Sequence, residues 1–226
     1  MIDYLSNFTK KEFDNFYKLE LNNWWYIGKN RIIIDSIQKI KKQSFRYDNL
    51  KILDLGCGIG VLSKQLSQFG KVYGADISYN VLSYFNQKNQ LPSVVLDAHQ
   101  LPFNKNAFDL VIAADLLEHL EHDDIVIDSL FYILKPNGRL LISVPVNKLL
   151  WGKSDVSVLH KRRYSSSDLI KLLEKYNFAI EESTYFNFLI FPAVLVVRFF
   201  ERIVIRSREI KPNTALPEVP YAVNAL

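Results

Sequence analysis

The sequence is poor in cysteine, since Cys57 is the single thiol among 226 residues. One cysteine can form neither an internal disulfide framework nor a cysteine-based zinc site. No run reaches 18 uncharged apolar residues, which argues against a membrane-spanning helix. The N-terminal residues also lack the basic and then apolar order of a signal peptide. These absences together predict a cytoplasmic protein in a reducing compartment.

A large excess of charge of one sign is absent as well. Lysine and arginine total 28 against 24 acidic residues, so the formal net charge is only +4. This is a weak electrostatic footprint for nucleic acid, although basic residues cluster in 198–211. With 49% hydrophobic residues, the composition is that of an ordinary folded protein. The length predicts one domain, or one domain with an appendage.

Short apolar runs alternate with helix-type patterns in the middle of the chain. The runs are LKILDL (50–55), KVYGAD (71–76), SVVLDA (93–98), FDLVIAA (108–114) and GRLLISVP (138–145). Their nearly continuous apolar character is typical of strands that are buried on both faces. Strands that alternate with helices in this way predict an α/β fold, in which helices cover both faces of a mostly parallel, doubly wound sheet.

The N-terminal residues 1–45 predict a helical cap on this sheet. Thr9 and Glu12 form a capping-box pattern ahead of an aromatic run, which indicates where the first helix begins. A second helical pattern covers 24–40.

The central domain is predicted over 46–187, ending with a helix that begins after Ser165 and a sixth strand over 179–186. Residues 188–226 form a hydrophobic and basic segment with an irregular tail. Within it, 188–205 fits a strand, a buried helix or a basic amphipathic helix. The amphipathic helix would make peripheral contact with the inner face of the membrane.

The most specific motif is a glycine-rich turn after the first predicted strand, with glycines at 56, 58 and 60. Glycine lets a ligand approach the backbone, and the helix that follows offers unpaired N–H groups. The dinucleotide fingerprint would place its third glycine at position 61, where the sequence has Val61. Asp76, Asp97 and Asp115 lie at the ends of the next three strands, the edge where open α/β sheets bind ligands.

Five motifs in register now resemble a known family. They are DLGCGIG (54–60), GADIS (74–78), LDAHQLPF (96–103), FDLVIAADLLEHL (108–120) and LKPNGRLLISVP (134–145). Together they resemble the class I S-adenosylmethionine-dependent methyltransferases of the type 11, small-molecule kind. The resemblance implies the Rossmann-like class I methyltransferase fold, S-adenosyl-L-methionine as cofactor and S-adenosyl-L-homocysteine as product.

The resemblance also implies which residues hold the cofactor. The methionine part would lie against Asp54 and the loop, the ribose on Asp76, and the adenine beside Ile77, Asp97 and Ala98. The sulfonium would lie beside 114–116. The implied cofactor-binding residues are therefore Asp54, Gly56, Cys57, Gly58, Gly60, Asp76, Ile77, Asp97, Ala98, Asp115 and Leu116. Simpler roles remain open at this point: Asp54 as an organiser of the loop, Cys57 as a small apolar filler, and Asp76 or Asp97 as a cap.

Flanking segments resemble a narrower group of bacterial enzymes, many of them found with cell-surface polysaccharide or lipid pathways. The segments are 24–31, 149–165 and 185–192. The family fold closes with a seventh, antiparallel strand, for which 194–205 is the available candidate.

The candidate catalytic groups are histidines, because a hydroxyl acceptor must lose its proton and histidine titrates near neutral pH. His160 is the first choice as general base and His119 the second. Arg162 and Arg163 are predicted to hold an anionic acceptor, with Tyr164 beside them and Trp25 as an aromatic lid. A metal-like cluster comprises Glu118, His119, Glu121, His122, Asp123 and Asp124. A solvated helix start explains that cluster, so no metal ion is predicted.

The sequence therefore predicts methyl transfer from S-adenosylmethionine to a small-molecule, sugar or lipid-linked acceptor, with oxygen as the methylated atom. The alternatives are an NAD(P)-dependent oxidoreductase on the same type of sheet and a non-catalytic, cofactor-binding regulatory protein. A methyltransferase for exocyclic amines of nucleic acid bases is disfavoured, because 114–118 reads ADLLE and not an Asn/Asp-Pro-Pro-Tyr motif.

Overall fold

The computed structural model describes residues 8–43 and 49–186. Two helices precede the sheet, and strands and helices then alternate. The strands are β1 (Leu50–Leu55), β2 (Gly70–Asp76), β3 (Ser93–Val95), β4 (Phe108–Ala114) and β5 (Leu134–Ser143). The helices are α1 (Lys10–Asn22), α2 (Trp24–Gln43), α3 (Val61–Leu66), α4 (Tyr79–Asn89), α5 (Asp123–Ile133), α6 (Lys153–Ser157) and α7 (Ser166–Lys175). None of the described helices is long and apolar enough to cross a membrane.

The five strands form one parallel sheet in the order β3-β2-β1-β4-β5. From β1 the chain first moves to β2 and β3 on one side, and then returns to β4 and β5 on the other. The strand order thus reverses between β1 and β4, and open α/β sheets bind ligands at the carboxyl ends of strands around such a point. The predicted doubly wound, Rossmann-like fold with a helical N-terminus is confirmed.

Both faces of the central strands are buried, which explains their continuous apolar sequence. Ile52 packs with Ile37 of α2 and Leu66 of α3 in one core cluster. Leu53, the next residue of β1, packs on the opposite face with residues of α5 such as Ile127. Successive side chains of a strand point to opposite faces, so β1 contributes to two cores at once.

The helical cap is fixed to the domain by an aromatic contact. Thr9 and Glu12 form the predicted capping box at the start of α1. One turn on, Phe13 is buried and its ring stacks on that of Tyr84 in α4, with 5.2 Å between ring centroids. The same cluster contains Ile59 of the glycine loop. The cap therefore packs directly on the segment predicted to bind the cofactor.

Three predicted strand assignments differ from the structure. β3 ends at Val95, and a turn follows in which the N–H of Gln100 donates to the carbonyl of Asp97. β5 begins at Leu134, directly after α5, with a register irregularity opposite Phe108 and Leu110. The predicted sixth strand over 179–186 is wrong for the described part of the chain, because the sheet there contains only the five strands listed above.

Ionic contacts explain why 179–186 lies near the sheet without joining it. Glu181 pairs with Arg139 of β5, and Glu182 pairs with Lys39 of α2. In the part of the chain that the structure describes, these ion pairs and not a backbone ladder connect the segment to the sheet and to α2. The predicted C-terminal segment, with its three interpretations of 188–205 and the candidate seventh strand over 194–205, lies outside the described residues.

Candidate active site

The glycine loop between β1 and α3 contains three glycines with positive φ, and their surroundings differ. A methyl group added to Gly58 would meet no heavy atom within 4 Å, so the backbone here borders open space. At Gly60 it would lie 2.4 Å from Asn89 and Phe85 of α4, and at Gly56 it would lie 3.0 Å from Leu116. Gly58 thus allows a ligand to approach, whereas Gly60 and Gly56 allow the loop to pack.

Asp76 at the end of β2 is tied to this loop. Its Oδ2 accepts a hydrogen bond from the N–H of Gly58 at 3.0 Å, and its Oδ1 accepts one from the N–H of Ser78 at 3.0 Å. An ionised carboxylate offers about four acceptor positions, so ribose hydroxyls can still donate to it. Asp76 and Ile77 line a cleft along the carboxyl edge of the sheet. Their predicted contacts with ribose and adenine stay predictions.

Asp54 and Cys57 lie beneath the loop, and both border the cleft. Asp54 is buried and accepts a 2.5 Å hydrogen bond from the hydroxyl of Ser63. Burial raises the pKa of Asp54 to about 6, despite this hydrogen bond. Burial also raises the pKa of the Cys57 thiol well above its usual range, so a reactive thiolate is disfavoured. This geometry fits Asp54 as an organiser of the loop and Cys57 as a filler.

Asp97 follows β3, and its carboxylate is engaged locally. Its Oδ1 accepts hydrogen bonds from the backbone N–H of His99 at 2.9 Å and from Nδ1 of the same residue at 2.7 Å. The backbone hydrogen bond is the main reason why the pKa of Asp97 is lowered. The neighbours Leu96 and Ala98 line the cleft, and Asp97 itself is not among the lining residues. These contacts favour a turn-capping role for Asp97.

Asp115 and Leu116 follow β4 and lie on the opposite side of the switch point. Asp115 accepts a 2.7 Å hydrogen bond from the hydroxyl of Ser143 and forms an ion pair with Lys29 of α2. Burial works against the charge of Lys29, but Asp115 and Glu20 raise its pKa overall. Burial in turn raises the pKa of Glu20 to about 7. The helical cap thus brings charged groups into the cleft that sequence reasoning did not find.

His160 is held by a buried carboxylate. Its Nδ1 lies 2.9 Å from Oδ1 of Asp155, a side chain that is only 1% exposed. Arg163 donates to the same oxygen at 2.7 Å, and the N–H of Gly152 donates to Oδ2 at 2.8 Å. Burial alone would raise the pKa of Asp155, but these hydrogen bonds lower it to about 2. Because Asp155 is ionised, Nδ1 carries the proton and Nε2 is the basic nitrogen.

Two groups from the short 3₁₀ turn Leu117–His119 face His160. Oε1 of Glu118 lies 3.9 Å from Nε2 of His160, and the ring centroids of His119 and His160 are 4.8 Å apart. Burial and the neighbouring His160 lower the pKa of His119 to about 4, so its imidazole is neutral. Burial and Asp115 raise the pKa of Glu118 well above its usual range. The structure thus brings both predicted histidines together at the cleft, beside the carboxyl group of Glu118.

The other predicted acceptor-binding residues are engaged within the protein. Arg162 donates to the carbonyls of Leu120 and Glu121 and pairs with Asp123. The hydroxyl of Tyr164 donates to Asp123 at 2.5 Å, and its ring is buried in the core. Neither residue lines the cleft. These contacts favour structural roles for Arg162 and Tyr164, because an acceptor anion would have to compete with existing partners.

Arg163 and Trp25 do line the cleft. The guanidinium of Arg163 is committed to Asp155 and to the carbonyl of Val146, which makes it a support for His160. Trp25 is 44% exposed, and its ring lies 5.3 Å from that of Phe186, centroid to centroid. Trp25 and Phe186 thus form an aromatic part of the cleft wall, and the role of Trp25 as a lid stays a prediction.

Sequence reasoning missed Asp155, Lys29 and Glu20. Asp155 is separated from His160 by five positions on a short helix and loop, and no periodic pattern marks that pairing. Lys29 lies 86 positions from its partner Asp115. In the sequence, Lys29 and Glu20 are marked only by their charge, on helices that were predicted to form the cap. Such long-range ion pairs follow from the tertiary arrangement and not from local sequence.

The chain is similar in sequence to known methyltransferases. A methyltransferase-domain family model matches residues 53–142, which run from β1 into β5. The ubiquinone biosynthesis O-methyltransferase of Pelagibacter ubique is 27% identical over 223 residues, covering 81% of this chain and 90% of that protein. A ubiquinone/menaquinone biosynthesis C-methyltransferase of Stutzerimonas stutzeri is 36% identical over 124 residues, covering 49% of this chain and 48% of that protein.

Among solved structures, phosphoethanolamine N-methyltransferase 2 of Haemonchus contortus, in complex with S-adenosyl-L-methionine, aligns with a TM-score of 0.53. It is 25% identical, and the alignment covers 69% of this chain and 39% of that chain. These similar proteins are named for methyl transfer to oxygen, carbon or nitrogen. The similar proteins therefore share methyl transfer as their reaction class but differ in the atom that they methylate.

Proposed function

Since this chain is a class I S-adenosylmethionine-dependent methyltransferase, we propose that it methylates a hydroxyl oxygen of a small-molecule, sugar or lipid-linked acceptor. The observation that carries the choice of oxygen is the Asp155–His160 pair at the cleft, 2.9 Å apart. A hydroxyl has to lose its proton during transfer, and a histidine with one nitrogen fixed by a carboxylate is suited to accept it. The C-methyltransferase and N-methyltransferase relatives make carbon and nitrogen the competing acceptor atoms.

The residues of the cleft fit the cofactor. S-adenosylmethionine supplies an electrophilic methyl group on a sulfonium. Gly58 leaves room for a ligand at the backbone, and Asp76 presents acceptor oxygens for ribose hydroxyls. Asp115 and Leu116, on the other side of the switch point, would flank the sulfonium. The loop and these strand ends orient the donor, and orientation of this kind accounts for a large part of the rate in transfer reactions.

His160 is the proposed proton acceptor. Its Nε2 lies 3.9 Å from Oε1 of Glu118, a separation too long for a hydrogen bond, so Glu118 does not occupy the nitrogen that would accept the hydroxyl proton. His119, which is neutral, lies against the same ring. Asp155 keeps His160 in the tautomer that leaves Nε2 basic and stabilises the imidazolium that forms.

Apolar side chains favour an acceptor with an apolar part. Trp25 and Phe186 line the cleft on one side, and Val156 and Leu159 line it from the segment that carries His160. Leu159 is 38% exposed and Val156 is 41% exposed, so both have surface available for contact. This combination supports a lipid-linked or aromatic hydroxyl compound more than a free sugar.

The test measures transfer of a carbon-13 methyl group from S-adenosylmethionine to three probes: decylcatechol, decyl glucoside and glucose. Carbon-13 NMR separates a methoxy product from a C-methyl or N-methyl product. We expect a methoxy product from a probe with a decyl chain. His160→Gln should lower kcat by roughly 10²–10⁴-fold, because general-base catalysis contributes a factor of this size, while the affinity for S-adenosylhomocysteine should stay within about twofold.

His122→Gln is the matched control, because His122 lies three residues after His119 and does not line the cleft. It should retain wild-type turnover. A product methylated only at carbon or nitrogen would refute the choice of oxygen. Full activity of His160→Gln would refute the assignment of the base.

A further inference from the structure

Three potential metal-binding groups converge at the acceptor side of the cleft. One ligand atom each from Glu118, His119 and His160 can be chosen so that all three lie within 4.8 Å of one another. We propose that these three residues bind a divalent metal ion, for which zinc is the best fit. Two imidazoles and one carboxylate are a ligand set that zinc accepts, and three protein ligands leave a coordination position open. That position would face the cleft, which all three residues line.

A second observation, independent of the clustering, points to a missing partner. The side chain of Glu118 is 1% exposed, and its Oε2 has no hydrogen-bond partner among the described residues. Buried carboxylate oxygens are normally paired with a hydrogen-bond donor or a cation, because desolvation of an unpaired charge is costly. The two nearby cations are committed elsewhere, Lys29 to Asp115 and Arg163 to Asp155. A metal ion at this place would provide the missing partner of Glu118.

The surroundings of His160 also match those of a metal ligand. Metal-bound histidines commonly donate their second ring N–H to a carboxylate, which orients the ring. Asp155 takes that place on Nδ1 of His160, and Arg163 and Gly152 hold Asp155 in turn. Nε2 is thereby directed toward Glu118. The backbone adds a further tie, because the N–H of Lys161 donates to the carbonyl of Glu118 at 2.8 Å.

The proposed site differs from the acidic and histidine-rich run that the sequence displays. Glu121 pairs with Lys161, Asp123 pairs with Arg162, and His122 lies against His99. Only Glu118 and His119 of that run join the cluster. The third ligand, His160, comes from 41 positions further along the chain. Contacts within the protein thus account for Glu121, His122 and Asp123, and a solvated helix start does not explain the buried Asp123.

The inference deepens the proposed function and rests on it for its catalytic consequence. The acceptor hydroxyl would occupy the open coordination position, where a divalent ion would favour loss of the hydroxyl proton to solvent water. The oxygen would then take the methyl group, and the sulfonium of S-adenosylmethionine would become the thioether of S-adenosylhomocysteine. His160 would then act as a ligand in the metal-loaded protein and as a base only in the metal-free protein. Binding of the metal itself can be measured without any turnover.

The experiment uses the full chain, dialysed against a chelator and titrated with zinc chloride by calorimetry, with magnesium and manganese chloride in parallel. We expect one zinc ion per chain. Glu118→Gln, His119→Ala and His160→Ala should each weaken zinc binding by roughly 10–100-fold or more, since loss of even a supporting group has an effect of that size. Cobalt chloride provides a second readout, because its visible spectrum reports histidine coordination and should change in all three variants.

The matched controls are Glu121→Gln and His122→Ala, which alter the neighbouring acid and histidine outside the cluster. Both should bind zinc as the wild type does. Absence of stoichiometric zinc binding, or equal weakening by the control variants, would overturn the site. O-methyl transfer that survives chelation unchanged, without zinc binding, would overturn this inference and leave the proposed function intact. Stoichiometric zinc binding without O-methyl transfer would support the metal site and refute the proposed function.

Discussion

Gly58 and Gly60 lie two positions apart in one loop, yet an added methyl group would affect them differently. Gly60→Ala places Cβ 2.4 Å from Asn89 and Phe85, so we expect a loss of roughly 2–4 kcal/mol in the free energy of unfolding. Gly58→Ala meets open space and should lose only about 1–2 kcal/mol, from its positive φ. Urea unfolding of the two variants checks the order.

The same two glycines also distinguish an effect on folding from an effect on ligand binding. Gly58→Ala should weaken binding of S-adenosylhomocysteine by about tenfold or more, since 1.4 kcal/mol of steric conflict has that effect. Calorimetric titration of the folded variant provides the measurement. Wild-type affinity in Gly58→Ala would show that the ligand does not approach the backbone there.

Asp54 makes stability depend on pH in a defined direction. Burial raises its pKa in the folded state to about 6 from 3.8, so folding favours the protonated carboxyl. The associated stability is complete below pH 3.8 and is lost as pH rises through about 6. Asp54→Asn lacks this loss, so between pH 4.5 and pH 8 it should gain roughly 1–3 kcal/mol of stability relative to the wild type.

Urea unfolding of both proteins at the two pH values measures that difference. Ser63→Ala is a useful companion, because it removes the hydroxyl that donates to Asp54 while keeping the carboxyl. A difference between wild type and Asp54→Asn that does not change with pH would mean that the carboxyl titrates normally in the folded protein.

At the scale of elements, α1 joins the cap to the cofactor loop. Phe13 packs with Tyr84 of α4 and with Ile59 of the loop, and it is only 5% exposed. Phe13→Ala should cost roughly 3–5 kcal/mol in packing, a range found for buried aromatic side chains. We expect faster amide hydrogen exchange in α1 and in 56–60, with weaker binding of S-adenosylhomocysteine.

Leu21→Ala is the control on the same helix, because Leu21 is 45% exposed. It should leave exchange in the loop and affinity for S-adenosylhomocysteine unchanged. Faster exchange spread evenly over β1 and β4 in Phe13→Ala would indicate global destabilisation, and would contradict a local link between cap and loop.

For the whole molecule, the sheet was predictable because its signal is local and repeated. The bounds of β1 and β4 agree with the predicted runs 50–55 and 108–114, since strands buried on both faces give continuous apolar runs in the sequence. The predicted sixth strand over 179–186 is wrong within the described residues, because β propensity cannot tell a paired strand from a segment that contacts the sheet through ion pairs. The ends of β3 and β5 shifted for similar reasons, through turn and bulge geometry.

The candidate site was predictable only in part. The glycine loop and Asp76 lie on a motif whose spacing is visible in the sequence. Arg162 and Tyr164 are neighbours of His160 in sequence, yet their side chains turn to Asp123. Asp155, in contrast, became visible only when the fold placed it on His160. Pairings between elements depend on the direction in which each side chain leaves its loop, which composition and period do not specify.

The burial of Cys57 has a practical consequence for solution experiments. It is the one thiol in the chain, it is 8% exposed, and burial raises its pKa. Thiol-directed dyes should therefore leave the wild-type protein unlabelled at neutral pH. A cysteine introduced at Tyr79, which is 74% exposed at the start of α4, would accept a single fluorophore at a known place. The protein thus provides a background against which one-site labelling can report ligand binding next to the loop.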